Sequence, residues 1–186
     1  NTGMLRCMSK ALYEEKPKGH YGLVLQDYAH FTSPIRRYPD LMVHRMLKLL
    51  LDGDSARTVP WEARMPEISA LSSLREQAGV QAEREADDMM KAAWMSHQLG
   101  RKFYGVVSGA TAWGAYVTLE NTVEGLIHVA DLDDYYAFDP ERGQLTAAMT
   151  GAVLKLGVRV RVRAIAASVE RGEISFELLE ILNGDK

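Results

Sequence analysis

A single cysteine, Cys7, occurs in the whole sequence. That excludes an intramolecular disulfide framework and any zinc or redox site built on a Cys-x-x-Cys pair. No apolar run approaches the roughly 18 residues needed to span a bilayer, so an integral helical membrane protein is excluded. A basic, apolar N-terminal segment of the signal-peptide kind is missing, as are low-complexity tracts and internal repeats. Charge of one sign is not in excess either: 22 Lys+Arg stand against 25 Asp+Glu, a net charge of −3 over 186 residues. Residues 1–100 carry 13 basic and 13 acidic side chains, and residues 101–186 carry 9 and 12. A nucleic-acid partner would have to be met by local clusters and stacking, not by a global positive field. Together these absences lead us to expect a reducing, cytoplasmic address.

What is present is the composition of a folded globular chain, 47% hydrophobic and 25% charged. The texture changes near Gly100. Before it, apolar residues recur at helical spacing; after it they alternate, with frequent glycine. We therefore expect an α+β chain, with a mainly helical segment over 1–100 and a small β domain over 101–186. A short helix is expected at 4–13, broken by Lys16-Pro17-Lys18-Gly19. Residues 20–31 read as extended and aromatic. Ser33-Pro34 can start a helical turn, and with Pro39 in a first turn the regular helix is expected over 40–51. Pro66 introduces the longest pattern, 66–98, with Ile68, Leu71, Leu74, Ala78, Ala82, Ala86, Met89 and Ala93 every three or four residues. Glu83, Arg84, Asp87 and Asp88 fall on its other faces, and the i, i+4 spacing predicts an Arg84–Asp88 pair.

Five strands are expected near 103–108, 113–119, 123–128, 158–166 and 173–179. In the fourth, Val158, Val160, Val162 and Ala164 alternate with Arg159, Arg161 and Arg163, so period two sends the aliphatics inward and the arginines outward. Five strands with a longer excursion at 129–157 suit a small Greek-key barrel of the OB type.

Residues 28–45, YAHFTSPIRRYPDLMVHR, resemble the motif near the end of the catalytic RNB domain in the RNase II/RNase R family of 3′→5′ exoribonucleases. The likeness extends upstream through GHYGLVLQDYAHF and downstream to AERE at 82–85. Residues 103–179 are similar to the S-one-type RNA-binding domain that follows RNB in those enzymes, and DLDDYYAFDPERGQL at 131–145 resembles an insertion found there. The resemblance implies processive hydrolysis of RNA from a single-stranded 3′ end to nucleoside 5′-monophosphates, with Mg²⁺. The family's metal-binding aspartates belong near the start of the RNB domain. No Asp-rich run of that type lies before residue 28, so no metal ligand is assigned in this sequence, and the isolated chain is expected to be catalytically incomplete.

By the same resemblance, Arg36 stands against the phosphate beside the scissile bond. A planar guanidinium can hold two phosphate oxygens at once, and loss of one preorganised donor costs on the order of 10²–10³ in rate. Glu83 matches a position that influences activity at the 3′ end. Tyr28, His30 and Phe31 fall where an RNA channel is lined. Trp113 and Tyr116 match two aromatics on strand two, and His128 matches a polar position at the end of strand three. The hairpin before strand five reads Val169-Glu170-Arg171-Gly172-Glu173 and departs from the family's acidic-then-basic pattern, so Arg159, Arg161 and Arg163 are the cations expected to compensate.

Each of these residues also has a plainer reading. Glu83 fits a charged helix surface, Tyr28 and Phe31 fit a core, His30 fits a satisfied structural role and the arginines fit a solvated strand face. Asp131, Asp133 and Asp134 read as a solvated turn, and Cys7 reads as a small buried hydrophobe. A non-enzymatic RNA-binding adaptor and a protein-interaction module remain alternatives. An incomplete helical segment should expose apolar surface, so self-association is expected.

Overall fold

The computed structural model describes residues 11–54 and 57–182. They divide into two compact units, 1–81 and 82–186. The expected helix at 4–13 and Cys7 fall largely or wholly outside the described residues; 11–13, which are described, are not helical.

In the first unit, residues 21–23 form a 3₁₀ turn closed by an isolated bridge between His20 and Leu25, where an extended run was expected. Helix α1 spans Tyr38–Leu51, with Pro39 in its first turn as its missing N–H requires. A one-turn helix α2, Val59–Glu62, is entered through Pro60. Helix α3, Met65–Ser96, is the longest element. Its apolar stripe is unfilled in the middle: residues 74–90 are all exposed, Leu74, Val80, Met89 and Met90 among them. Arg84 and Asp88 do not pair; the ion pair on this stretch is Lys91 Nζ to Asp87, 2.7 Å. Of the described residues of the first unit, only Asp40, Met42 and Thr58 are buried.

The second unit is built otherwise. Strands β1 Lys102–Thr111, β2 Gly114–Leu119, β3 Glu124–His128, β7 Arg159–Ser168 and β8 Glu173–Leu182 close into a five-stranded barrel in the order β1-β2-β3-β8-β7. All neighbours are antiparallel except β3 and β8, which meet parallel at Leu126 and Ser175. That is the OB arrangement read from the sequence. The excursion at 129–157 is not irregular. It folds into a second sheet of three short strands, β4 Tyr136–Asp139, β5 Gln144–Ala147 and β6 Val153–Lys155.

One hydrophobic core serves the second unit. Val107, Ala115, Val117, Ile127, Val160, Val162, Ala164 and Phe176 fill the barrel. Leu145, Ala147 and Leu154 join from the small sheet, and Ala92 and Met95 from the last turns of α3. The compact unit therefore begins inside α3, before the change of sequence texture at Gly100, because those final turns bury their apolar side chains in the barrel. Gly125 makes room for Phe176: a Cβ there would lie 2.5 Å from the ring. The tip of the β7–β8 hairpin also sits close to α3, since a Cβ on Gly172 would lie 2.9 Å from that of Asp88.

Candidate nucleic-acid interface

Each unit presents one group of side chains suited to RNA. In the first unit the residues leading into α1 form a tight turn, with the Arg36 and Arg37 N–H groups both donating to the Ser33 carbonyl, at 3.2 and 2.9 Å. Two adjacent arginines leave this turn in different states. Arg37 donates through Nη2 to Asp40 Oδ2 at 2.9 Å. Asp40 is 0% exposed and also accepts the Ser33 N–H at 2.8 Å. Burial pushes the Asp40 carboxyl up, but the Ser33 N–H, Arg37 and the nearby His30 together hold it below the usual carboxylate range. Arg36 is exposed and makes no side-chain hydrogen bond or ion pair among the described residues.

Beside the turn runs a row of rings. Tyr28, half-exposed, meets His20 and His30 edge-on at centroid distances of 4.9 and 5.8 Å. The His30 Nδ1 lies 3.0 Å from the Tyr13 hydroxyl, so this histidine is tied into the row. Burial and Glu76 raise the Tyr13 phenol above its ordinary value. Phe31 stacks on His44 at 4.1 Å, and its carbonyl accepts from His44 Nε2 at 2.8 Å, which fixes the proton on that nitrogen. Phe31 and Tyr28 keep large exposed surfaces, so neither is a core-filling ring.

Trp113 belongs to the β1–β2 turn, one residue before the strand on which the sequence placed it. It is 76% exposed. The Thr111 hydroxyl accepts its N–H at 3.3 Å, and its carbonyl accepts from Val129 at 3.0 Å. The turn can press so closely on β3 only because Gly114 follows: a Cβ there would lie 2.0 Å from the Ile127 carbonyl oxygen. Register does the rest. Gly114 pairs with His128 and Tyr116 with Leu126. Tyr116 and His128 are thus diagonal neighbours on one face, about 7–8 Å apart at their backbones; both are exposed, as is Trp113 in the turn that precedes β2.

The arginine stripe on β7 does point outward, but its charges are partly spent within the protein. Arg161 pairs with Glu180 at 3.2 Å and Arg163 with Glu177 at 3.0 Å, both across to β8. Only Arg159 of the three has no ion pair among the described residues. Tyr104 escaped the sequence reading: it stands 59% exposed on β1 opposite Arg161, and its position between Lys102 and Val106 at strand period two was the available signal. Glu83 is exposed on α3 without a partner among the described residues. The acidic turn is not merely solvated. Asp134 accepts the N–H groups of Met149 and Thr150, each at 3.0 Å, and the Thr150 hydroxyl at 3.2 Å. Among the described residues no group of three or more His, Cys, Asp or Glu side chains converges to hold a metal ion.

With this geometry in place, residues 1–53 match the RNB domain and residues 96–179 the S1 RNA binding domain. Ribonuclease R 1 of Lactococcus lactis is 40% identical over 182 residues, which take in 96% of this chain. The chain thus resembles the C-terminal part of ribonuclease R, the end of its RNB domain followed by its S1 domain. Ribonuclease R of Aquifex aeolicus is 44% identical over 180 residues. Mycoplasma genitalium RNase R in complex with ribose methylated single-stranded RNA superposes with a TM-score of 0.89 at 29% identity, over 95% of this chain. The chain spans only about a quarter of these ribonuclease R proteins: 22% and 26% of the curated relatives and 28% of the solved chain.

Proposed function

We propose that this chain supplies RNA binding and the phosphate-contacting arginine to a 3′→5′ exoribonuclease that degrades single-stranded RNA processively to nucleoside 5′-monophosphates. The observation that carries the reading is the free guanidinium of Arg36, exposed beside an identical residue that is locked into an ion pair. An arginine held by a buried carboxylate is not free to meet a substrate phosphate; an unpaired one on the same turn is, with two N–H groups directed at two oxygens.

Phosphodiester hydrolysis places negative charge on the phosphate oxygens and on the leaving oxygen. In this reading Arg36 takes part of that charge. Trp113 and Tyr116 stack on bases, each such contact being worth about 1–3 kcal/mol. His128 hydrogen-bonds the same strand, Tyr104 lengthens the stacking surface along β1, and Arg159 is the β7 cation free to meet a phosphate. Tyr28 and Phe31 offer exposed ring surface to the strand near Arg36, while His30 holds the row of rings together. Glu83 acts near the 3′ end. Mg²⁺ supplies Lewis-acid chemistry in such enzymes. The described residues do not form a site for it, and no step is assigned to the ion here.

The test uses end-labelled single-stranded RNA, the pure chain and Mg²⁺. Retention of the RNA, measured by fluorescence anisotropy, without progressive shortening on a gel is the expected result. Shortening from the 3′ end would overturn the claim that the chain lacks part of the machinery. No binding by the wild-type chain would overturn the RNA reading altogether.

A further inference from the structure

We propose that Asp40 is the positioning residue that decides which of two adjacent arginines is presented to the phosphate. The inference rests on the reading of Arg36 given above. Arg36 and Arg37 have the same chemistry and follow one another in a single turn. What separates them is one carboxylate. Asp40 is wholly buried, and its Oδ2 receives both the Ser33 N–H at 2.8 Å and Arg37 Nη2 at 2.9 Å. The first contact fixes where the turn begins. The second fixes the side chain that leaves it at residue 37. Since the Arg36 and Arg37 N–H groups both close on the Ser33 carbonyl, holding Ser33 and Arg37 leaves residue 36 little freedom except to project outward.

The pair is poorly explained as a source of stability. Asp40 Oδ1 and Arg37 Nε are both buried with no hydrogen-bond partner among the described residues. A buried ion pair that leaves one atom of each partner unsatisfied contributes little net free energy, and apolar replacements of the same shape commonly do as well. What such a pair does is select one local conformation. Here the selected conformation withdraws one guanidinium and frees its neighbour. Asp40 touches no substrate in this account; it acts through the turn.

Arginine-directed modification by phenylglyoxal, read residue by residue by mass spectrometry, tests the idea on the chain itself. In the wild type, Arg36 should react readily and Arg37 slowly, and a short single-stranded RNA should slow the reaction of Arg36. In Asp40→Asn, Arg37 should become reactive, and the protection of Arg36 by RNA should fall on the order of tenfold, the scale of a lost hydrogen bond to a charged group. Arg37→Gln, which leaves the carboxylate in place, should lower that protection as well and serves if Asp40→Asn does not fold, as judged by circular dichroism. The double variant Arg37→Gln/Asp40→Asn, which can keep a neutral hydrogen bond, should recover part of the protection. Undiminished RNA protection of Arg36 in a folded Asp40→Asn or Arg37→Gln chain would overturn the positioning role. No RNA protection of Arg36 in the wild type would instead overturn the phosphate contact on which the inference rests.

Discussion

The two units put their apolar residues to different ends. The barrel unit gathers its aliphatics into one core in which Val107, Val117, Ile127, Val160, Val162 and Phe176 are fully buried. The first unit has helices of good periodicity, yet Met42 is the one apolar side chain buried among its described residues, while Leu71, Leu74 and Val80 on α3 stay in solvent. Helical periodicity specifies a face; it does not supply what covers the face. A closed sheet brings its own partner, since every strand finds neighbours on both sides. We conclude that the second unit gathers its own core, whereas the described residues of the first unit leave much of their apolar surface exposed.

That contrast can be broken most directly in the barrel core. Phe176→Ala should cost about 3–5 kcal/mol and abolish the cooperative melt of the barrel followed by near-UV circular dichroism. Leu74→Ala, a truncation of an exposed helix residue, should stay within about 0.5 kcal/mol of wild type. Equal losses at the two sites would mean that the stripe on α3 is covered in solution. Sedimentation of the wild-type chain sharpens the point: self-association through α3 gives an apparent mass above 20.8 kDa that rises with concentration.

A smaller effect is expected on the exposed rings. Trp113→Ala should weaken binding of single-stranded RNA by about 1–3 kcal/mol, with Tyr116→Ala in the same range, measured by anisotropy at fixed salt. Unchanged affinity in both would remove the barrel face from the RNA path and leave the first unit as the binding surface.

Acid should next separate the small sheet from the barrel. The Thr150 N–H, opposed by burial and reinforced by the Met149 N–H, holds the Asp134 carboxyl below the usual carboxylate range. A group whose pKa is lowered by folding stabilises the fold above its unfolded value and loses that contribution as pH falls through the folded one. The loop at 148–151 should therefore loosen from about pH 4 downward, seen as faster amide exchange at Met149 and Thr150. In Asp134→Asn the exchange should be fast at neutral pH and lack this acid step. An acid step that persists in Asp134→Asn would assign it to another carboxylate.

The smallest change concerns the outward arginines. Arg163 and Glu177 are each partly exposed, and such pairs are worth about 0.2–1 kcal/mol. Arg163→Ala should alter stability by no more than that and RNA affinity less than Arg159→Ala does. A larger loss of affinity from Arg163→Ala would mean that RNA displaces Glu177.

Alternation made the barrel legible. The run of valines and arginines at 158–164 gave both the strand and the direction of every side chain in it, and the long helices followed from their spacing. The small sheet was hidden because its strands are three or four residues long, too short for a period to register, and because Leu145 and Leu154 reach the core from a segment rich in turn residues. Arg36 was legible by resemblance, since no property of residues 36 and 37 taken alone distinguishes them. Asp40 was missed for a physical reason: a carboxylate in the first turn of a helix normally faces water and the helix dipole, and only the backward reach to Ser33 removes it from solvent. The mispositioned Arg84–Asp88 pair shows the limit of i, i+4 arithmetic on a surface where several partners compete, for Asp87 found Lys91 instead.

The parallel meeting of β3 with β8 sets an order on assembly. A chain leaving the ribosome can form the β1–β2–β3 meander from local contacts, but the gap beside β3 stays open until residues 173–182 arrive. Pairing across so long a loop is slow, so the meander must survive with a raw edge while the intervening sheet and β7 are being synthesised.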